Sequence, residues 1–149
     1  MIIVFYGQPH SGKTTLAYKL QQHLFLNAYI TPPIIDEDEI IEIFKNKDNS
    51  EESRIKNLNI ISDIGTYLNS KYRIVIISAV YSIKEARQHL DSINDDVIWV
   101  YLEYNEDTSK EILHIKDFDV TESDKNTNIT LNTSLLTIED CIKKVINKI

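Results

Sequence analysis

"FYGQPHSGKTTLA", residues 5–17, holds two of the three glycines in this chain, five residues apart, with Lys13 directly after the second. The run Gly7-Gln8-Pro9-His10-Ser11-Gly12-Lys13-Thr14 fits GxxxxGK[ST] without a mismatch. Before it, "IIVFY" (2–6) is a short β-rich apolar run, as expected of a buried parallel strand. After it, "GKTTLAYKLQQHLF" (12–25) spaces Leu16, Ala17, Leu20, His23 and Leu24 along one helical face. A loop that wraps a phosphate turns its backbone N–H groups inward, in conformations that glycine adopts cheaply. The helix that follows adds unpaired N–H groups and a positive dipole end. Lys13 can then reach the β- and γ-phosphates, and the Thr14 hydroxyl can ligate Mg²⁺. Residues 7–15, from Gly7 to Thr15, are therefore the expected site for a nucleoside triphosphate with Mg²⁺. A chance match at an ordinary strand–turn–helix corner is the alternative, and the flanking elements weigh against it.

The rest of the composition sets bounds. The 149 residues fit one domain, 1–149, with enough chain for a real core. At 42% hydrophobic and 26% charged residues, the composition is globular and neither disordered nor fibrous. A formal net charge of −7 weighs against a broad nucleic-acid surface, yet permits a local basic pocket for a small anion. One cysteine, Cys141, can form no intramolecular bridge, which suggests a reducing compartment. Apolar runs such as "IVIISAVY" (74–81) are too short to span a bilayer, so no membrane association is expected. The chain opens on strand-like "MIIVFY" with no charged leader, and a cytoplasmic location is expected.

Strand and helix signals alternate along the chain. "AYITPPII" (28–35) is extended, because a residue before proline is pushed out of the α region. "DEDEIIEIFK" (36–45) starts acidic, as suits a helix N-terminus, and carries apolar residues at 40, 41, 43 and 44. In 50–70 Ser50 is the expected N-cap, and Ile55, Leu58, Ile61, Ile64 and Leu68 supply a buried stripe. Strands are expected at 73–81, 97–104 and 129–133, and helices at 83–93 and 137–149. The polar stretch 105–128 reads as a short helix and then a loop. Such alternation demands crossover connections. The expected fold is α/β: a mostly parallel, five-stranded sheet with helices on both faces, of the P-loop NTPase type.

Several stretches beyond the loop resemble the adenylylsulfate kinase family, in order and over nearly the whole chain. "IIDEDEIIEIF" (34–44) is similar to that family's L-D-G-D-x-x-R segment. "SEESRIKNLNII" (50–61) resembles its S-x-E-D-R-x-x-N-x-x-R stretch, and "IVIISAVYSIKEAR" (74–87) the strand ending in I-S-P-Y-R-x-x-R. "VIWVYLE" (97–103) matches its fourth strand in character, and "NITLNTSLLTIEDCIKKVINKI" (128–149) its closing segment. The resemblance implies a Mg-ATP-dependent phosphotransferase. It would phosphorylate the 3′-hydroxyl of adenosine 5′-phosphosulfate, a small-molecule nucleotide acceptor used in sulfate assimilation; a homodimer stays open.

The resemblance assigns roles residue by residue. Lys13, Asp36 and Asp38 are the expected catalytic residues, with Thr14 and Asp38 at the metal. A carboxylate near the γ-phosphate can hold Mg²⁺ through water or orient the acceptor hydroxyl. Arg54 and Asn57 fall on the R-x-x-N pair that contacts the sulfonucleotide, on one helix face by their i, i+3 spacing. Lys84 and Arg87 match two arginines that could draw an anionic nucleotide to the carboxyl edge of the sheet. Phe118 lies where the family has an aromatic near its lid; otherwise it is a small local core anchor. Trp99 reads as core, His23 and His114 have no metal-ligand spacing partner, and Glu139 reads as a first-turn helix acid.

The pattern also breaks. Glu37 replaces the middle glycine of D-G-D, Ile41 its arginine, and Ser53 the acid of E-D-R; Tyr81 and Ser82 replace the serine and proline of I-S-P. The family's lid is long and rich in arginine and lysine, whereas 104–127 is shorter and has only Lys110, His114, Lys116 and Lys125 as basic residues. Two alternatives follow. One is a small P-loop kinase with another acceptor: a nucleoside, a polynucleotide end or a small metabolite. The other is a nucleotide-binding module that has lost catalysis.

Overall fold

The structure is a computed structural model that describes residues 1–104, 118 and 127–149. Strand β1 (Ile2–Gly7) is buried along its whole length, which accounts for its unbroken apolar run. Around it, β2 (Ile34–Asp36), β3 (Val75–Ser78), β4 (Val97–Glu103) and β5 (Thr127–Asn132) complete a five-stranded sheet in the order β2-β3-β1-β4-β5. Every pairing is parallel. The helices are α1 (Lys13–Ala28), α2 (Glu37–Phe44), α3 (Glu51–Asn69), α4 (Lys84–Ser92) and α5 (Ile138–Ile146).

Successive strand residues point to opposite faces, so β1 feeds two cores. Ile3 and Phe5 pack with Leu16, Leu20 and Leu24 of α1 and with Cys141, Ile142 and Val145 of α5. Ile2, Val4 and Tyr6 pack with Leu58 and Ile61 of α3 and with Ala86 and Leu90 of α4. Each such aliphatic side chain contributes about 2 kcal/mol on burial. Trp99 is core, as expected: it is buried, and its Nε1 donates to Asp91 Oδ1 at 2.8 Å.

Element bounds shift where backbone chemistry intervenes. Helix α1 runs on to Ala28 and ends at Tyr29, whose left-handed φ of 53° caps it, so the extended segment shrinks to β2. Pro32 and Pro33 keep the link from turning helical, and the Pro33 carbonyl accepts from Ile76 N–H at 3.0 Å. Strand β3 stops at Ser78 because the chain turns at Tyr81, where φ is 39°. Helix α2 buries none of its apolar residues fully; it sits at the sheet's edge against α3, leaving Ile43 and Phe44 exposed. The stripe expected on α3 is partly replaced: Leu58 and Ile61 are buried, but Ile55, Ile64 and Leu68 are half-buried. Ser53, Asn57, Ser62 and Gly65 fill the rest of that face. Ser62 belongs there because its hydroxyl meets Tyr81 Oη at 2.8 Å. On α1, His23 is half-buried beside the buried face. Among the described residues, no helix is long and apolar enough to cross a membrane.

The strand order places the site. From β1 the chain first goes to β2 and β3 on one side, then to β4 and β5 on the other. The helices after β1 and β3 pack on opposite faces, which opens a crevice at the carboxyl ends of these neighbouring strands.

Candidate active site

The loop after β1 is shaped by its two glycines. A Cβ on Gly7 would fall 2.5 Å from the Leu102 carbonyl oxygen, so only glycine lets β1 lie this close to β4. Gly12, at φ 94°, caps α1 without any side-chain bond to the helix N–H groups. His10 adopts φ 63°, which bends the loop between them. Thr133 Oγ1 donates to the Ser11 carbonyl at 3.1 Å and ties the loop to the turn after β5. Lys13 is buried, and its Nζ donates to the Gln8 carbonyl at 2.8 Å. Burial pushes its ammonium pKa down, while the carboxylates of Glu37, Asp38 and Asp36 push it back up.

Across the crevice, the register of β2 on β3 sets Asp36 beside Ser78. Thr14 Oγ1 donates to Asp36 Oδ2 at 2.7 Å and lies 3.1 Å from Ser78 Oγ. The other Asp36 oxygen accepts from Asp38 N–H at 3.1 Å, so one buried carboxylate both caps α2 and meets the P-loop threonine. Asp38 is exposed to the cavity. Glu37 turns the opposite way: its Oε2 accepts from the Val80 N–H, just past β3, at 2.6 Å. Burial raises the Glu37 pKa; the Val80 N–H and nearby Lys13 oppose that rise.

These groups line one cavity of about 840 Å³. Its floor is Pro9, His10, Gly12, Lys13, Thr14 and Thr15; its far wall includes Arg54, Asn57 and Ser82. Arg54 Nη2 donates to Ser82 Oγ. Asn57 is tied into the α2–α3 connection: its Oδ1 accepts from Asn46 Nδ2 at 2.7 Å and its Nδ2 donates to the Asn46 carbonyl at 3.1 Å. Ser53 Oγ donates to Asn46 Oδ1 at 2.7 Å, so the serine that replaces an acid completes this clamp.

The structure thus brings together Lys13, Thr14, Thr15, Asp36, Asp38, Arg54 and Asn57 from the expected set, with Pro9, His10 and Gly12 of the loop. Thr14 pairs with Asp36, whereas its expected metal partner was Asp38. Gly7, Gln8 and Ser11 shape the loop from behind. Lys84, Arg87 and Phe118 do not line the cavity. Arg87 is buried; its Nη1 donates to the Tyr81 carbonyl at 2.7 Å and its guanidinium lies 5.8 Å from the Tyr6 ring centre. Phe118 packs on Tyr101, with ring centres 6.1 Å apart, against the α3–α4 core. Lys84 is exposed at the start of α4. Lys110, His114, Lys116 and Lys125 lie outside the described residues. Ser78, Val80 N–H and Asn46 were not anticipated. Ser78 carried a signal: a serine closing a buried strand of an α/β sheet sits at the ligand edge.

A parallel 2-3-1-4-5 sheet with a GxxxxGK[ST] loop between β1 and α1 defines a P-loop kinase fold. The pattern described as adenylylsulphate kinase matches residues 1–129, and the chain belongs to the adenylylsulphate kinase family. It is accordingly an ATP-dependent kinase. No match was found among curated proteins. Among solved structures, the fold is similar to the Mycobacterium tuberculosis APS kinase CysC in complex with AMPPNP and APS, at 20% identity and TM-score 0.81, covering 98% of this chain and 95% of that one. It is also similar to a sugar kinase from Janibacter sp. HTCC2649, at 15% identity and TM-score 0.70, covering 98% and 92% of the two chains. A gluconokinase from Sinorhizobium meliloti 1021 follows, at 13% identity and TM-score 0.69, covering 97% and 89%. At these identities the likeness is one of fold.

Proposed function

We propose that the chain, as one kinase domain over 1–149, moves the γ-phosphate of Mg-ATP to a hydroxyl of a small acceptor in the 840 Å³ cavity. The observation that carries this reading is the meeting of Thr14, Asp36 and Ser78 beside Lys13 at the carboxyl edge of the sheet. These oxygen donors suit Mg²⁺, a hard cation held by one or two carboxylates and the substrate's own phosphates. Thr14 and Asp36 would hold the ion, with Asp38 in reach through water. When bound, Mg²⁺ would neutralise charge on the phosphates. Residues 7–15 bind the polyphosphate through backbone N–H groups, and Lys13 supplies the counter-charge. Asp38 orients the acceptor hydroxyl and takes its proton. The new bond joins that oxygen to the γ-phosphorus; the β–γ bridging bond breaks, and ADP leaves.

Family membership supports adenylylsulfate, taken at its 3′-hydroxyl, as the acceptor, and Arg54 suits its anionic end. A second reading, an uncharged hydroxyl acceptor, is favoured by the Glu37 carboxylate on Val80 N–H. A coupled ADP-release assay over adenylylsulfate, nucleosides and polyols tests both. Mg-ATP-dependent turnover with at least one acceptor is expected; ADP release that no acceptor stimulates would sink the kinase reading.

A further inference from the structure

Three hydrogen bonds tie the α2–α3 connection to α3, and all of them end on Asn46. Its Nδ2 donates to Asn57 Oδ1 at 2.7 Å, its carbonyl accepts from Asn57 Nδ2 at 3.1 Å, and its Oδ1 accepts from Ser53 Oγ at 2.7 Å. Asn57 and Ser53 are buried, so water competes little for these bonds. The next residue, Lys47, is exposed and lines the cavity on the wall that also carries Arg54. Among the described residues, the Lys47 ammonium makes no hydrogen bond or ion pair. The neighbouring Asp48 turns its carboxylate to the start of α3, where Oδ1 accepts from Ser50 N–H at 3.1 Å and Oδ2 from Ser50 Oγ at 2.8 Å. Away from the P-loop, Lys47 and Arg54 are the two cations that line the cavity among the described residues; Ile41 adds an apolar side chain. Arg54 already donates to Ser82 Oγ.

We propose that Lys47 is a specificity residue that receives the anionic group of the acceptor, and that the Asn46–Asn57–Ser53 clamp positions it. This rests on the kinase reading above and takes the first of its two acceptors. A lysine ammonium is a compact charge with three donors on a flexible stem, suited to a sulfate or phosphate oxygen. On an open loop, ordering that stem would consume much of the gain from the contact. Here the residue before it is fixed by three hydrogen bonds, so the stem starts from a set place on the cavity wall. An acceptor without charge gains little from the contact, which makes Lys47 a discriminating group. Asn57, expected at the substrate itself, acts instead through Asn46 and Lys47.

Two probes share the same 3′-hydroxyl and differ in charge: adenosine and adenylylsulfate. Calorimetric titration of each into the Mg-ADP-loaded chain compares the wild type with Lys47→Gln, Lys47→Arg, Asn46→Ala and the double variant Asn46→Ala with Lys47→Gln. Lys45→Gln removes the same charge two residues away, outside the cavity, and controls for the general field of the surface. Circular dichroism melting checks that every variant folds. The wild type should prefer adenylylsulfate by about tenfold or more. Lys47→Gln should lose about tenfold for adenylylsulfate, with adenosine changed by no more than about threefold, and Lys47→Arg and Lys45→Gln should stay within about threefold of the wild type. Asn46→Ala should weaken adenylylsulfate about fivefold alone and add nothing beside Lys47→Gln, because its effect runs through that lysine. A wild type without the preference, or equal losses in Lys47→Gln and Lys45→Gln, overturns the role of Lys47. An Asn46→Ala change that costs nothing, or as much beside Lys47→Gln as alone, overturns the positioning. Mg-ATP uptake by the wild type, read in the same instrument, reports separately on the kinase reading.

Discussion

Asp36 and Asp38 stand two residues apart and face different tasks. Asp36 is buried against Thr14, while Asp38 is exposed to the cavity. Asp38→Asn should lower kcat by about 10²-fold or more with little change in nucleotide affinity, as expected for loss of a general base. Asp36→Asn should instead raise the Mg²⁺ concentration needed for half-maximal turnover, measured by metal titration of the coupled assay. Equal effects of the two changes on both readouts would contradict this division. Glu37 between them gives a pH signature. Its native pKa is raised by burial, so the folded chain holds that proton to higher pH than the unfolded chain. Its contribution to stability is therefore complete below the ordinary glutamate value and is lost as pH rises through the native value. Melting temperatures across that window should fall more steeply for the wild type than for Glu37→Gln. Parallel curves would show that Glu37 does not titrate there. None of this was legible residue by residue. The D-E-D run was visible, but which acid meets Thr14 depends on the pairing of β2 with β3, which no local pattern contains.

At the scale of elements, the turn from β3 to α4 sets the far wall. Tyr81 is buried at φ 39°, a left-handed conformation that a bulky residue adopts only under constraint. Its ring packs edge-on against Trp99 at 5.2 Å, its hydroxyl meets Ser62, and its carbonyl accepts from Arg87. That turn aims Val80 N–H at Glu37 and Ser82 Oγ at Arg54. Arg87, expected to touch substrate, holds the wall from behind. Arg87→Met should therefore destabilise the fold by about 2 kcal/mol in denaturant unfolding, because the Tyr81 carbonyl loses a charged donor inside the core. A variant of wild-type stability would return Arg87 to the substrate-binding role first expected of it. Helix α5 offers a control far from the cavity. Thr137 Oγ1 accepts from Asp140 N–H at 3.1 Å, and Thr137→Ala should cost about 1 kcal/mol without altering turnover. Elements like α5 were readable because cap and stripe are local signals. The buried face of α3 was misread in part because Ser62 and Asn57 are buried for partners, Tyr81 and Asn46, that lie far off along the chain or in a loop.

Over the whole molecule, alternation of strand and helix signals predicted the parallel α/β sheet, since parallel neighbours need crossovers. The loop after β1 was legible for a simpler reason: a phosphate cradle is built from contiguous residues, so its pattern survives in one dimension. The proposed acceptor side is assembled from the ends of β2 and β3, the first half of α3 and the α2–α3 connection. Its departures from the family pattern were visible as letters, but Glu37 and Ile41 acquire meaning only when the cavity wall is assembled, and Ser53 only through the Asn46 it holds. Phosphate transfer by this chain requires the loop from Gly7 to Thr14 to grip a nucleoside triphosphate. Calorimetric titration with a magnesium-bound, non-hydrolysable ATP analogue tests that most directly. Saturable one-to-one binding is expected, weakening by about tenfold to a hundredfold in Lys13→Ala. Heat no greater than dilution for the folded wild type, or equal affinity in Lys13→Ala, would contradict it.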